Sequence, residues 1–511
     1  MEGTVVTPSA VPPDEPALKK GAINYVSSVV IGVASTAPGY SLAAVLGLIV
    51  AVEGIGVQAP AVMIVSFIPI LCVAWAYRYL NRADPDCGTT FSWAAKAFGP
   101  SAGWIGGWAI IVADIIVMAN LAQIAGLYSF LLVDSSATPS TAVVTLVGVV
   151  WIAVMTWVCV IGIELNAKTQ RWLLTAEIVT LATFAIVALI RVWTESIPGS
   201  IDPSLSWFNP FAIGSFDALV SGVLIGIFIY WGWDSLVTVN EETEDSDTVP
   251  GKAAVSATLI LLGIYVIVST AALAFGGVDR LANDESGDVL GLLANDVFGS
   301  SLLGKLVIIA VLSSAAASTQ TTILPTARTT LSMARAKALP SALGKIHPQY
   351  LTPHVSTIWM GALSIVWYVG LTIVSENILF DSIAALGLMI AFYYGLTGFA
   401  CVWYFRRELT KSTKNFIMAG VLPLAGGLML LGVFIKSCSD LSKPENSTAG
   451  DSWLGLGPPL VIGVGMLLLG VVLMIIWRFN GHPEFFRLKP EVSPPGLLDD
   501  PAIEVPPPHA A

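Results

Sequence analysis

Apolar residues in this chain are gathered into long blocks rather than alternating with polar ones. Twelve blocks can be counted, at about residues 27–52, 57–80, 102–133, 141–163, 169–194, 215–240, 253–276, 300–331, 355–375, 379–405, 415–436 and 455–478. Crossing the hydrocarbon of a bilayer takes roughly 20 apolar residues in a helix, and a helix satisfies its own backbone groups as it crosses. The pattern therefore predicts twelve transmembrane helices and an all-α polytopic membrane protein. Residues 1–26 are polar and proline-bearing, with Lys19 and Lys20 just before the first block. They lack a short apolar region ending in small residues, so they read as a tail and not as a signal peptide. Residues 479–511, with PEVSPPG and EVPPPHAA, are expected to be disordered. Between the second and third blocks, TTFSWAAKAF (89–98) has the pattern of a short surface-packed amphipathic helix.

Two blocks are interrupted by polar and helix-breaking residues. The first carries A-S-T-A-P-G-Y-S at 34–41, near its middle. Pro38 removes a backbone donor and Gly39 loosens the chain, so the block is expected to break or kink there. The sixth carries IFIYWGWDSL at 227–236, where Gly232 lies between Trp231 and Trp233 and Asp234 follows at membrane depth. A carboxylate there costs at least ~2.5–3.5 kcal/mol on insertion scales, so it faces a polar cavity or caps the second half-helix. The interruptions lie five spans apart. Five is odd, so a five-helix unit repeated in sequence sits upside down in its second copy, which is the pattern of a midplane binding site between inverted halves. This divides the chain into a tail (1–26), a first five-helix unit (27–194), an inverted second unit (215–405), two further helices (415–478) and a C-terminal tail (479–511).

Composition agrees, with 55% hydrophobic and 12% charged residues. The formal net charge of −11 comes mostly from acids in loops and tails and implies no nucleic-acid partner. Cys72, Cys87, Cys159, Cys401 and Cys438 form no CxxC pair, which argues against a redox motif or a thiolate metal site. His347, His354, His482 and His509 fall in loops or the tail, leaving no intramembrane imidazole for a haem or metal. No metal and no cofactor is therefore expected. Of the 24 Lys and Arg residues, Arg191, Arg280, Lys305, Lys436 and Lys443 fall on one side of the twelve-span topology and the rest on the other. The positive-inside rule then places both termini in the cytoplasm.

Four stretches resemble the amino acid–polyamine–organocation (APC) permease family. TTFSWAAKAFGPSAGWIGGW (89–108) is similar to the family segment leading into its third helix. FIYWGWDSLVTVNEETED (228–245) resembles its sixth helix, an aromatic–Gly–aromatic break followed by paired acids, here Glu241 and Glu242. ARTTLSMARAKALPSALGKIHPQYLTPHVS (327–356) resembles the eighth-helix end and following loop, with Ala336-Lys337 where Asp-Gly is usual. The opening stretch 34–41 departs from the family's G-x-G. The resemblance implies a LeuT-like fold: twelve transmembrane helices in a 5+5 inverted repeat with broken helices 1 and 6, plus two extra C-terminal helices. It also implies a permease of the cell membrane, a secondary active transporter of amino acids or related amines working by alternating access.

Within that frame, Ser35, Thr36, Ala37, Pro38, Gly39 and Tyr40 would offer free amides and hydroxyls to a substrate carboxylate, because half-helix N-termini are positive dipole ends. Tyr230, Trp231, Gly232, Trp233 and Asp234 would offer carbonyls, an aromatic wall and an acid to an amine, one indole closing over the substrate. Asp114, with Asn120 and Gln123 nearby, is a proton carrier or ammonium partner, or else an interhelical hydrogen-bond acceptor. Glu177 lies where related permeases often carry an ionisable residue; it binds and releases protons or makes a structural pair. Ser314, Ser318 and Thr321, with Thr319 beside them, would face the first break, where Ser318 and Thr319 suit Na⁺ ligation or plain packing. No second acid joins them, which favours H⁺ over Na⁺ as the coupling ion. The acids Asp114 and Asp234 motivate an alternative, a polyamine or organic-cation importer or exchanger. A non-transporting sensor or channel ranks below both, and no nucleophile–base set in the spans suggests an enzyme.

Overall fold

The structure, a computed structural model, describes residues 16–134, 137–284, 288–299, 301–374, 376–447, 450, 452–480, 483–494 and 496–498. It is helical, with no strand beyond isolated bridges among the described residues. The first span is split into α1 (Tyr25–Ser35) and α2 (Pro38–Ala51), and the second is α3 (Ala59–Ala83). A short helix, α4 (Thr90–Phe98), leads into the third span, α5 (Pro100–Val133), followed by α6 (Thr141–Ile161) and α7 (Ile163–Thr194). The sixth span is α8 (Phe216–Ile229) and α9 (Ser235–Thr238); then come α10 (Val249–Ala282), a short α11 (Val289–Phe298), and α12 (Ser301–Arg335). Spans nine and ten are α13 (His354–Val374) and α14 (Glu376–Tyr404). The eleventh starts as α15 (Thr413–Asn415) and passes through a π-helical turn into α16 (Leu422–Leu441), and α17 (Pro458–Phe479) closes the series.

Among the described residues eleven spans are long and apolar enough to cross a membrane, with α1 and α2 counted as one. The sixth block yields α8, only 14 residues, because the chain turns at Tyr230. This is a helical polytopic membrane protein. Within it, α3 packs along α10, α5 along α12, α6 along α13, and the split first span along the split sixth. Each partner lies five spans further on, the pairing that a two-fold relation between halves produces. In their most apolar windows the first, third and eighth spans are 83% buried against 33% and 17% for the last two, so the breaks sit at the centre and α16 and α17 at the rim.

The N-terminal segment, the 84–89 and 240–248 connections and the loop after α12 gather on one face, here the terminal face. Ile23 N–H donates to Glu242 O at 3.1 Å there, and Lys19 pairs with Glu164 at 2.8 Å. The stretch 89–98 forms a helix packed on the protein, as expected: Phe91, Trp93, Ala94 and Ala97 are buried and the Trp93 indole donates to Asp84 O at 2.9 Å.

Residues 483–494 and 496–498 correct the expectation of a disordered 479–511. Phe485 is buried and stacks on Phe91 of α4 with centroids 5.3 Å apart, and Leu498 is buried as well. Glu491 and Ser493 donate their amides to Lys96 O and Tyr404 O at 2.7 and 3.1 Å, and Lys337 pairs with Glu484. Proline-rich composition signals a segment that lacks regular structure; a few apolar anchors still tie it to the terminal face. Residues 499–511 lie outside the described residues.

Candidate functional site

The first break is made by two residues. Ala37 adopts a left-handed conformation (φ 47°, ψ 61°), and Pro38 follows as the first residue of α2. A proline there is preorganised for a helix start and has no N–H to leave orphaned. The next amides are not free. Gly39 N–H donates to Glu177 Oε1 at 2.7 Å and Tyr40 N–H to Ser314 Oγ at 3.2 Å. Thr36 and Ala37 donate back to Val33 O and Ala34 O, and Ser41 to Ala37 O. The Thr36 hydroxyl turns onto Val33 O and the Ser41 hydroxyl onto Thr36 O, both at 2.7 Å. The expectation of free amides for a ligand is therefore corrected. A carboxylate sits on the positive end of α2, and it is the protein's own, from α7. Glu177 is fully buried, and its Oε2 has no hydrogen-bond partner among the described residues.

The two breaks touch. Gly232 has φ +111°, and a Cβ there would lie 2.7 Å from Ser35 O, so only glycine fits both the backbone and the approach. Ser35 Oγ and Ser235 Oγ share a hydrogen bond at 2.7 Å, and Ser318 Oγ donates to Ser35 O at 2.9 Å. Ser314 and Ser318 of α12 therefore reach the first break, whereas Thr319 and Thr321 bond back to carbonyls of their own helix.

Asp234 makes no cap bond to α9. Its carboxylate accepts instead from Tyr394, Tyr393 and Tyr77 at 2.8, 3.1 and 3.4 Å. The Trp231 indole donates to Tyr393 Oη at 2.5 Å, while Trp233 is buried edge-on against Tyr77 with its Nε1 unpartnered among the described residues. Tyr230 turns away to donate to Met63 O at 3.0 Å. Asp114 accepts from Thr326 at 2.6 Å and lies within electrostatic reach of Asp234. Asn120 is further along α5, donating to Ser382 at 3.1 Å. The structure thus brings Glu177, Asp234 and Asp114 into the centre of the bundle, all buried and none ion-paired among the described residues. The tyrosine cage was missed at the sequence level; the Tyr393-Tyr394 doublet inside an apolar block was its one available signal.

Below the breaks, on the terminal face, a second polar cluster was also missed. Arg328 is fully buried and holds Glu242 through two bonds, Nε–Oε2 2.7 Å and Nη2–Oε1 3.0 Å. Arg335 holds Glu241 at 2.8 Å. The paired acids after the sixth span are thereby latched to α12. Asp86, Cys87 and Glu241 have ligand atoms within 4.8 Å of one another, but they are already used: Asp86 accepts from Ser92 and Ser332, Glu241 is paired, and Cys87 Sγ donates to Arg328 O.

A family model described as amino acid permease matches residues 23–477. The chain belongs to this family. Among similar proteins, the low-affinity putrescine importer PlaP of Escherichia coli K12 is 22% identical over 407 residues, covering 78% of this chain and 84% of the relative. The branched-chain amino acid permease BcaP of Lactococcus lactis is 25% identical, covering 71% and 78%, and the serine/threonine exchanger SteT of Bacillus subtilis is 21% identical, covering 74% and 82%. In this permease the split first and sixth spans meet at a buried, acidic centre.

Proposed function

We propose that this permease is a secondary active transporter of amino acids or related amines across the cell membrane, working by alternating access with both termini in the cytoplasm. The observation that carries the reading is the meeting of two helix breaks, Ala37–Gly39 and Tyr230–Asp234, in the middle of the bundle, closed to solvent on all sides. Broken backbone at membrane depth is tolerated only where protein or a cavity satisfies it, and there it marks a substrate path. The lysine and arginine bias puts the terminal face inside. The Arg328–Glu242 and Arg335–Glu241 pairs then act as a latch on the cytoplasmic side, which opens when substrate is released inward.

Coupling is assigned to H⁺ through Glu177. Its carboxylate bonds the first amide of α2, so taking up a proton weakens a charge-assisted contact at the break itself. Ser314 accepts from Tyr40 N–H and Ser318 donates to Ser35 O, and no second acid joins these hydroxyls to balance a Na⁺. The test is uptake into proteoliposomes under an imposed ΔpH with and without Na⁺. Saturable uptake driven by ΔpH and independent of Na⁺ is expected. Glu177→Gln, which preserves an acceptor for Gly39, is expected to lose accumulation while retaining counterflow. Na⁺-driven uptake that survives Glu177→Gln overturns the coupling assignment, and unsaturable flux overturns the transporter reading in favour of a pore.

A further inference from the structure

We infer that Tyr265, from the middle of α10, is the positioning residue of the second break: its hydroxyl holds the carbonyl end of α8 and so fixes where Tyr230–Asp234 stand against the first break. This rests on the transporter reading, which makes the meeting of the breaks the place where substrate is handled. The first support is a carbonyl that the break orphans. A helix leaves its last carbonyls without intrahelical donors, and at membrane depth no bulk water is there to take them. Where the chain turns, Tyr230 N–H donates to Ile227 O at 3.2 Å and Trp231 N–H to Phe228 O at 3.0 Å. No backbone amide among the described residues reaches Ile229 O. The Tyr265 hydroxyl donates to it, from 36 positions further along the chain. Tyr265 is fully buried, and between Thr258 and Ser269 it is the only residue whose side chain can donate. An otherwise apolar stretch of α10 thus carries its single hydroxyl at the end of α8.

The second support is the ring. Tyr265 meets the Tyr230 ring edge-on with centroids 4.9 Å apart, and Phe67 of α3 meets that same ring at 5.7 Å. The Tyr230 hydroxyl donates to Met63 O of α3 at 3.0 Å. Tyr230 is therefore held from two sides. On one, α3 takes its hydroxyl; on the other, α10 gives an aromatic edge and a bond to the residue before it. A side chain gripped in this way keeps one orientation, and the chain leaving it keeps one starting direction.

The third support is the lack of slack beyond Tyr230. A Cβ on Gly232 would lie 2.7 Å from Ser35 O, and Ser235 shares its hydroxyl bond with Ser35 at 2.7 Å. Between them Asp234 reaches Tyr394, Tyr393 and Tyr77 together. A small shift at the end of α8 is passed on to all of these contacts, because close-packed groups have no room to absorb it. The first break leans on the same helix. A Cβ on Gly32 of α1 would lie 3.1 Å from Ala257 Cβ of α10 and 3.3 Å from Trp233 O. One helix sets both breaks.

Tyr265→Phe keeps the ring and removes only the donor. Amide exchange and counterflow are read on the full-length protein in proteoliposomes, with leucine, lysine and butylamine as probes. Exchange is expected to rise at Tyr230–Asp234 while the rest of α10 stays protected. The half-saturating probe concentration is expected to rise roughly tenfold, the loss of one buried hydrogen bond at the site, with the maximal rate less affected. Tyr265→Met gives a second variant should Tyr265→Phe misfold. As a control, Tyr368→Phe removes an equally buried hydroxyl from α13, where it donates to Gln123 at 2.6 Å, and is expected to lower the melting temperature alone. Unchanged half-saturation in Tyr265→Phe, with or without a lower melting temperature, overturns the inference and leaves the transporter reading standing. If the unmodified protein carries none of the three probes, the transporter reading falls and exchange decides by itself. Raised exchange at Tyr230–Asp234 then supports the hold of Tyr265 on the break, and unchanged exchange overturns it.

Discussion

At the scale of single residues, the protein depends on close approaches that admit no substituent. A Cβ on Gly39 would lie 3.2 Å from Glu177 Oε1, so a larger side chain drives the carboxylate off the start of α2. Gly39→Leu is expected to abolish substrate binding while the protein still inserts and elutes as a sharp species by gel filtration; retained binding would mean that the break is only a kink. Gly232→Ala meets both a positive φ and Ser35 O at 2.7 Å. Strain of this kind costs about 1–3 kcal/mol, and a lowered melting temperature checks it. Outside the spans, burial pushes the Asp84 carboxyl up to about 6, against the opposing pull of the Lys96 ammonium. A raised carboxyl pKa means the folded state holds its proton more tightly than the unfolded one. Asp84 therefore favours folding below its unfolded pKa, and that contribution is lost as the pH rises through about 6. In Asp84→Asn, the drop in melting temperature between pH 4 and 7 is expected to shrink.

At the scale of elements, the join between the sixth and eighth spans is electrostatic. Arg328 and Glu242 are both fully buried and doubly bonded, so removing one partner strands a charge. Arg328→Met is expected to cost about 3–5 kcal/mol of stability, and adding Glu242→Leu to recover most of it. Unfolding of the two single variants and the double variant completes the cycle; a double-variant loss equal to the sum of the two single losses would mean that the pair is not a unit. The tyrosines around Asp234 belong to the second and tenth spans, so this acid also reports how α3 and α14 sit against the break.

At the scale of the whole molecule, the tail closes over the terminal face and ties α4, the end of α14 and the loop after α12 together. Deleting residues 481–511 is expected to raise amide exchange in Thr90–Phe98 and at the end of α14, and to leave the central spans protected. Phe485→Ala reproduces the effect in part, since the stacked ring is the buried anchor. Unchanged exchange in α4 after deletion would show that the tail contributes nothing to the face it covers.

Apolar run length decided the helices, because a span satisfies its own backbone and needs only about 20 apolar neighbours in sequence. Pro38 and Gly232 decided where two of them break, because their backbone constraints are local. The family was legible in 228–245 and 327–356 for the same reason: these are continuous stretches. What the breaks do was not legible. Gly39 and Glu177 are 138 positions apart, and Arg328 and Glu242 are 86. Glu177 in the sequence is a costly acid in an apolar block, and only the placement of α7 beside the first break puts its charge on a helix end. Pro38 and Gly39 in the sequence promised open amides; the tertiary structure filled them, because a buried N–H without an acceptor is too costly to leave unmade.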